Sequence, residues 1–396
     1  MTTETTKPGF LSELDDAQIR ADVANELGAG NSLSYQGLLD ILDDAAVGGM
    51  TASKFSTLEA LASLLNAPGG ITTSAYLQDI VHNLVDGDAA NAHWTGGQPT
   101  HSALGNLSAT STQLQVDKLI DKWLLGTDHP STNHAGRDNA TYQVQNGPLF
   151  AADGVPSYRD VNQGENGDCY FLSTLAEVAL QDPSAIQSMI TDNGNHTYGV
   201  RFFVNGVAEY VTVDNQLPVM TDGTTMDNGS ALKFASGANG QPIWAELVEK
   251  AFVQLNAEPD AIHGSAGHVS NSYAGMADGE AQNALAEITG QSSITYYCNK
   301  LVADVATIGA AFQAGEELEL SVGSLTAGYQ GNLVADHVFE IIGYNASDES
   351  FKIHNPWGST DHSQPMTFTM SVQDLANAGA SITVAQGSAP GLQASA

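Results

Sequence analysis

Apolar positions recur at helical spacing through the first third of the chain. In STQLQVDKLIDKWLL, five apolar side chains fall at i, i+3, i+4, i+7 and i+8, which is one face of an α-helix: Val116, Leu119, Ile120, Trp123 and Leu124. Four earlier segments are separated by Gly or Asn, and Ser or Thr precedes several of them as a cap: LSELDDAQIRADVANEL, SYQGLLDILDDAAV, STLEALASLL and TSAYLQDIVHNLV. We expect residues 1–125 to form a small all-α domain.

The pattern changes after this domain. Residues 126–148 have no periodicity and are rich in Gly, Asn, Thr and Pro, which predicts an exposed linker. Residues 149–260 contain two apolar helical segments, QGENGDCYFLSTLAEVAL and PIWAELVEKAFVQLN, and the strand-like YGVRFFV and AEYVTV. Residues 261–386 are mainly strand-like, as in SSITYYC, ELELSVG, HVFEIIGYN, FKIHNPW and PMTFTMS, and 387–396 form a tail of small residues. The prediction is an α+β chain in which a helical half faces a β-rich half.

Composition narrows the class of protein. A chain of 396 residues with 42% hydrophobic content is globular and long enough for more than one core. Its 45 acidic and 12 basic residues give a net charge of −33, which would repel nucleic acid and anionic membranes. We expect no membrane span and no cleavable N-terminal secretion signal, because no long apolar run occurs. The scarcity of bases and the small-residue tail favour a bacterial protein exported through a C-terminal signal over a cytoplasmic one.

One of the two cysteines occupies a position suited to a nucleophile. Cys169 follows a Gly-Asp turn at the start of an apolar helix, where unpaired N–H groups and the helix dipole favour a thiolate. We interpret Cys169 and Cys298 as free thiols, since a disulfide would consume the nucleophile. Such a nucleophile needs a base and a group that orients the base. His337 begins an apolar strand and Asn355 ends the next, so adjacent antiparallel strands could set them side by side.

Each of these residues, taken alone, has a simpler explanation. Most lone cysteines are small core hydrophobes, His337 could be a hydrogen-bonded core histidine, and Asn-Pro-Trp-Gly could be an ordinary turn after a strand. His263 and His268 have loose spacing and no nearby acid or thiol, so we expect no metal site there. Asp168 fits a helix cap better than a catalytic acid.

Three motifs, in one order along the chain, resemble those of the calpain-type cysteine proteases. QGENGDCYFLSTLA resembles the family's nucleophile motif, Gln-Gly-x-x-Gly-Asp-Cys-aromatic-x-Leu. IHNPWG matches its Asn-Pro-Trp-Gly motif, and PIWAELVEKAFVQLN is similar to its internal helix. The resemblance covers roughly residues 149–384. It implies a papain-like fold with a helical and a β-rich subdomain, limited to the protease core.

The resemblance also implies a role for each matching residue. Cys169 would be the nucleophile, and His337 would hold it as a thiolate and later protonate the leaving amine. Asn355 would orient the imidazole, and Trp357 would shield that hydrogen bond from water. Gln163 would donate its side-chain N–H to the oxyanion, together with the backbone N–H of Cys169. The implied reaction is hydrolysis of peptide bonds in a protein or peptide substrate through a thioester acyl-enzyme.

The resemblance leaves the need for calcium open. No cofactor is required for the chemistry, and calcium is a candidate activator. Asp160 matches an acidic position that binds calcium in the animal enzymes, which makes it a candidate ligand, but Asn239 replaces a second such acid. Asp336 stands where the family has a small residue before the histidine, which would alter the cleft wall and the pKa of His337.

The N-terminal domain and the activity itself also have alternatives. The domain is either a propeptide that contacts the cleft and is released by self-cleavage in the linker, making the protein a zymogen, or a docking domain without inhibitory role. The alternatives to a protease are a catalytically silent calpain-like binding module and a related Cys-His acyl transferase. Asn355 and its neighbouring Trp357 favour proteolysis over acyl transfer.

Overall fold

The computed structural model describes residues 8–132, 140–163, 166–220, 242–257, 271–357 and 365–387. Its α-helices are α1 (Ala17–Glu26), α2 (Tyr35–Ala46), α3 (Ala52–Leu64), α4 (Ala75–Val85), α5 (Gln113–Ile120), α6 (Cys169–Gln181), α7 (Pro183–Met189), α8 (Trp244–Leu255), α9 (Ala281–Thr289), α10 (Cys298–Ala303), α11 (Val305–Ala314) and α12 (Val372–Ala378). Its strands are β1 (His93–Trp94), β2 (Ser102–Ala103), β3 (Ala140–Val144), β4 (Ile190–Asp192), β5 (Thr197–Val204), β6 (Val207–Asp214), β7 (Gln216–Met220), β8 (Ser292–Tyr297), β9 (Leu318–Val322), β10 (His337–Asn345), β11 (Ser350–His354), β12 (Thr367–Ser371) and β13 (Ser381–Gln386). Asn239, His263, His268 and the tail from residue 388 lie outside the described residues.

Helices α1 to α5 pack around one hydrophobic core, as the apolar periodicity of this region predicts. A side-chain oxygen accepts a backbone N–H at the start of each helix, and the capping residues are Asp16, Ser34, Thr51, Ser74 and Thr112. Helix α5 continues into a π-helical turn, Asp121–Leu125, which ends at Gly126 in the left-handed conformation. The short hairpin β1–β2 is the departure from an all-α domain.

The first part of the stretch predicted to be an exposed linker is packed. Asp128 is fully buried: its carboxylate accepts the N–H groups of Thr95 and Gly96 at 2.7 Å and pairs with Lys122 Nζ at 2.6 Å. Further on, β3 pairs antiparallel with β7. The prediction of an exposed linker is therefore wrong for residues 126–132, whereas β3 is largely exposed. The sequence pattern missed the packing because buried polar groups, rather than apolar side chains, make these contacts.

A second core surrounds α6, the helix that begins at Cys169. Its side chains from Tyr170 to Ala179 are all buried, because α6 is enclosed by α7, α9 and strands of the β-rich half. Phe171 of α6 stacks on Phe252 of α8 with ring centroids 3.9 Å apart. The segment PIWAELVEKAFVQLN thus forms a buried helix beneath the helix that carries the cysteine.

A six-stranded antiparallel sheet forms the β-rich half, in the order β12-β11-β10-β9-β13-β8. Helices and sheets together make the chain α+β, as predicted. The sheet and helices α10 to α12 enclose a third core, while β9 and β10 also pack against α6. Because both faces of these central strands are covered, β9 and β10 are buried over most of their length. Along the described ranges, no helix combines the length and apolarity needed to cross a bilayer.

Candidate active site

A cavity of about 860 Å³ opens between the helical half and the six-stranded sheet. Four of the predicted site residues line it: Gln163, Cys169, His337 and Trp357. Cys169 begins α6, and His337 begins β10, so the cavity lies where the first residues of these two elements meet. The residues that line it all belong to the chain from Gln163 onward.

His337 and Asn355 form a buried hydrogen-bonded pair behind the cavity wall. His337 Nε2 lies 3.0 Å from Asn355 Oδ1. The amide oxygen can only accept, so Nε2 carries the proton and Nδ1 keeps its lone pair. Burial lowers the pKa of His337 to about 4, although the hydrogen bond to Asn355 opposes this effect. The imidazole is therefore neutral at neutral pH.

Two aromatic rings fix the plane of this imidazole. The ring of Trp357 lies 4.6 Å from that of His337, and the edge of Phe339 approaches the imidazole from strand β10, also at 4.6 Å. The backbone N–H of Trp357 donates to Asn355 Oδ1 at 3.2 Å, so the Asn-Pro-Trp turn folds back on its own asparagine. The ring of Trp357 thus lies beside the imidazole that the resemblance implies it shields.

Cys169 is a half-buried free thiol, and Cys298 is free and exposed, as predicted. Burial raises the pKa of the Cys169 thiol to about 12, the backbone of Val338 opposes this effect, and the charge of Asp168 adds to it. Burial therefore favours the neutral thiol, in the opposite direction to the thiolate that the helix start predicts. Cys169 and His337 both belong to the described part of the chain, and no hydrogen bond joins Cys169 Sγ to the His337 imidazole.

Gln163 is buried at the edge of the cavity and is held at both ends. Its backbone N–H donates to Pro356 O at 2.7 Å, which links the glutamine loop to the Asn-Pro-Trp turn. Its side-chain Nε2 donates one hydrogen to Asn166 O at 2.8 Å. The sequence analysis did not predict a role for Asn166. Its position between Gln163 and Cys169 in the nucleophile motif was the signal that could have indicated one. The second Nε2 hydrogen of Gln163 is the candidate oxyanion donor.

Asp168 stands at the N-cap position of α6, but its side chain makes no capping hydrogen bond. The carboxyl is fully buried and accepts Asn166 Nδ2 at 3.3 Å instead. Burial raises the pKa of Asp168 to about 6, against hydrogen bonds from Glu249 and the nearby amides. The predicted capping role is therefore replaced by a buried polar contact below the cysteine.

Asp160, the candidate calcium ligand, is hydrogen-bonded within the protein through one of its carboxyl oxygens. Its Oδ2 accepts the backbone N–H of Ser157 at 2.9 Å and Trp244 Nε1–H at 2.9 Å, which anchors the start of α8. Among the described residues, no three His, Cys, Asp or Glu side chains come together as metal ligands. Asn239, which replaces the second calcium-binding acid of the animal enzymes, lies outside the described residues.

The cavity brings together the three kinds of group that a cysteine peptidase uses. They are a thiol at a helix start, an imidazole oriented by an amide, and a side-chain amide N–H. Sequence comparison points the same way: the model of the calpain family cysteine proteases matches residues 136–370, more than half of the chain. The chain therefore belongs to the calpain family of cysteine proteases.

Individual relatives are distant. The chain is 27% identical over 232 residues to the calpain-type cysteine protease DEK1 of Arabidopsis thaliana, 27% over 219 to calpain clp-4 of Caenorhabditis elegans, and 22% over 240 to calpain-9 of Rattus norvegicus. These matches cover 53%, 50% and 56% of this chain. They cover 9%, 27% and 31% of the three relatives, so the chain spans less than a third of their length.

Proposed function

We propose that the protein is a cysteine endopeptidase that hydrolyses peptide bonds through a thioester acyl-enzyme on Cys169. The observation that carries the proposal is the 3.0 Å hydrogen bond from His337 Nε2 to Asn355 Oδ1, at the cavity that also contains the thiol. This bond leaves Nδ1 of His337 unprotonated, and a neutral imidazole can accept the thiol proton. Membership of the calpain family supports the same reaction.

The resting site holds a neutral thiol and a neutral imidazole, so the proton must move as the bond forms. Nδ1 of His337 takes the proton from Sγ of Cys169 while the sulfur attacks the carbonyl carbon of the substrate. Substrate binding has to bring Sγ within hydrogen-bond reach of Nδ1, because catalytic hydrogen bonds often tighten only when substrate is bound. The imidazolium of His337 then protonates the leaving amine, and water hydrolyses the thioester.

The oxyanion of the tetrahedral intermediate would be stabilised by two N–H donors. One is the second Nε2 hydrogen of Gln163, which also interacts with the buried Asp168 carboxyl, and the other is the backbone N–H of Cys169 at the start of α6. Because Asn166 O and Pro356 O hold Gln163 in place, its donor is oriented before substrate arrives. A preorganised donor costs little reorganisation in the transition state.

The N-terminal domain fits a docking role better than a propeptide in the cleft. Its helices contact the β5–β6 hairpin: Tyr76 Oη lies 2.8 Å from Thr212 Oγ1, and Tyr35 Oη lies 3.1 Å from Thr197 Oγ1. The cavity lining begins at Gln163 and contains no residue of 8–132. Self-cleavage in the predicted linker would therefore leave this domain bound to the hairpin rather than open a blocked site.

A catalytically silent binding module is the second candidate. The missing hydrogen bond between Cys169 and His337 favours it, because the nucleophile and base are not yet engaged. The intact hydrogen bond between His337 and Asn355 argues for the enzyme, since a binding module has no need of an oriented imidazole.

A thiol-directed epoxide probe separates these candidates. In a Cys298→Ser background, Cys169 is the sole thiol of the chain, and intact mass reports its modification. The proposed enzyme should be labelled once per chain, and His337→Ala should slow labelling strongly at neutral pH because its base is gone. Labelling should be tested with added calcium and with a chelator. A folded protein that is not labelled under either condition would support the binding module.

A further inference from the structure

Three glutamates and one histidine lie buried where α6 covers the sheet, and none of them belongs to the proposed site. We call this set the carboxyl cluster: Glu177 on α6, Glu319 on β9, Glu340 on β10 and His354 on β11. Glu340 pairs directly across the strands with Glu319 on one side and His354 on the other. Glu340 Oε2 is hydrogen-bonded to His354 Nδ1 at 3.0 Å, and Glu177 Oε1 accepts the backbone N–H of Leu318 at 3.3 Å.

The cluster connects the elements that carry the proposed catalytic residues. Glu177 lies on α6, which begins at Cys169, and Glu340 lies on β10, which begins at His337. His354 is the last residue of β11 and directly precedes Asn355. The hydrogen bond between Glu340 and His354 therefore links the strand of the base to the strand that leads to the amide. Glu177 links the helix of the thiol to β9.

The three glutamates are fully buried, and among the described residues only Glu340 has a basic side-chain partner, the imidazole of His354. Glu177, Glu319 and Glu340 have no exposed surface, and within the described part of the chain no lysine or arginine pairs with them. Among the described residues, both carboxyl oxygens of Glu319 and one each of Glu177 and Glu340 lack a hydrogen-bond partner. Several like charges at this spacing in a dry interface would be strongly unfavourable, so the cluster has to retain protons for α6 to stay packed on the sheet.

We infer that Glu177, Glu340 and His354 are positioning residues for the proposed reaction. With Glu319, they hold the thiol helix, the histidine strand and the asparagine strand in the arrangement that the chemistry needs, and they do so only while the cluster carries protons. This inference rests on the proposed function, because it concerns the same site.

The direction of the pH effect follows from burial. Burial raises the pKa of Glu177 and Glu319 well above their ordinary value of 4.5, and it also raises that of Glu340 against its hydrogen bond to His354. The unfolded chain loses these protons near pH 4.5, so unfolding releases protons at higher pH. Stability therefore falls as pH rises from about 4.5 through the folded-state pKa values.

Two other titratable groups lie beside the cluster. Glu317, just before β9, is buried, and burial raises its pKa to about 7, with the charges of Glu316 and Asp182 adding to the effect. The ring of Tyr158 packs edge-on against His354 at 5.4 Å. The test therefore has to compare single Glu→Gln variants with one another and with an exposed control.

The test measures the pH profile of epoxide labelling at Cys169 in the Cys298→Ser background, well below the melting temperature. Glu177→Gln, Glu319→Gln and Glu340→Gln keep the side-chain volume and cannot ionise, and Glu59→Gln, at an exposed position of α3, is the matched control. We expect the labelling rate of the parent to fall at alkaline pH. In the cluster variants, this fall should begin about one pH unit higher. The control should follow the parent.

Thermal melts of the same proteins provide a second readout. The melting temperature of the parent should fall by several degrees between pH 6 and pH 9, and the fall should be smaller in Glu177→Gln and Glu319→Gln. Labelling with identical pH profiles in the parent and every folded cluster variant would overturn the inference while leaving the proposed function intact. A parent melting temperature that stays constant over this range would also overturn it. No labelling at any pH in the folded parent would instead refute the proposed function.

Discussion

His337 Nε2 and Asn355 Oδ1 lie 3.0 Å apart although 18 residues separate them along the chain. The contact forms because β10 and β11 are antiparallel neighbours, with one residue at the start of β10 and the other just past the end of β11. It fixes the proton on Nε2 and leaves Nδ1 to act as a base. This relationship sets the protonation state that the proposed reaction starts from.

The activity should persist to an unusually low pH for a reaction that uses a histidine base. Burial lowers the pKa of His337 to about 4, whereas the unfolded chain binds this proton near pH 6.5. The base should therefore remain competent until the pH approaches 4, and the contribution of His337 to stability should be lost as pH falls from 6.5 towards 4, which is opposite in sign to the contribution of the carboxyl cluster. The measurement is kcat/KM from pH 3.5 to 8, with circular dichroism at each pH to confirm folding. A half-maximal point near 6.5 in folded protein would contradict this account.

Asp160 should act as a hydrogen-bond anchor for Trp244. Asp160→Ala removes the acceptor for Trp244 Nε1–H and for the N–H of Ser157, and should cost roughly 1–3 kcal/mol of the free energy of unfolding. Asp160→Asn keeps an oxygen acceptor and should cost less. Denaturant melts with calcium and with a chelator measure both effects. If calcium stabilised the parent and Asp160→Asn abolished that gain, the residue would be a calcium ligand instead.

The cleft should favour substrates with basic side chains near the cleaved bond. Three exposed carboxylates line it, Asp278, Glu280 and Asp336, and no lysine or arginine is among its described lining residues. Matched peptides with Lys or Glu beside the cleaved bond should differ by about tenfold or more in kcat/KM at low salt. The difference should shrink in high salt, because screening weakens exposed charges.

Asp336→Asn tests the cleft charge directly. Asp336 adopts a left-handed backbone with φ of 52°, which asparagine tolerates, so the variant changes charge without new strain. It should reduce the Lys preference, while Glu59→Gln, at an exposed position of α3, should not. Equal cleavage of the Lys and Glu peptides at low salt would show that the cleft charge has no role in selectivity.

The N-terminal domain should be a permanent part of the fold. A Cβ at Gly199 on β5 would lie 2.6 Å from the ring of Tyr76, so the hairpin is shaped to receive this tyrosine. Gly199→Ala should destabilise the protein by about 1–3 kcal/mol, whereas Gly9→Ala, where nothing lies within 4 Å, should have little effect. Denaturant unfolding measures both. Equal stability of the two variants would indicate that the domain does not pack on β5 as described.

Much of the frame could be predicted from the sequence, because apolar periodicity reports which faces are buried. The helix from Cys169 and the strand from His337 follow from it, and so does the prospect that Asn355 lies beside that histidine. Polar burial could not be predicted in this way. Glu319 and Glu340 alternate with apolar residues, a pattern typical of a solvent-facing side, but α6 covers that side and buries them.

The thiol of Cys169 shows the same limit. The sequence places it at a helix start, where the local dipole favours ionisation. The surrounding fold removes solvent from the sulfur, and this non-local effect raises its pKa instead. Desolvation depends on which distant elements pack over a residue, so a local sequence pattern does not report it.

The most direct test of the central claim is to trap the acyl-enzyme. An activated peptide ester incubated with the Cys298→Ser protein should release one leaving group per chain in a burst, and intact mass should show one peptide acyl group attached through Cys169. Cys169→Ala should show neither the burst nor the adduct. Hydrolysis that proceeds unchanged in Cys169→Ala, or a folded parent that forms no adduct on Cys169, would contradict the assignment of this protein as a cysteine endopeptidase.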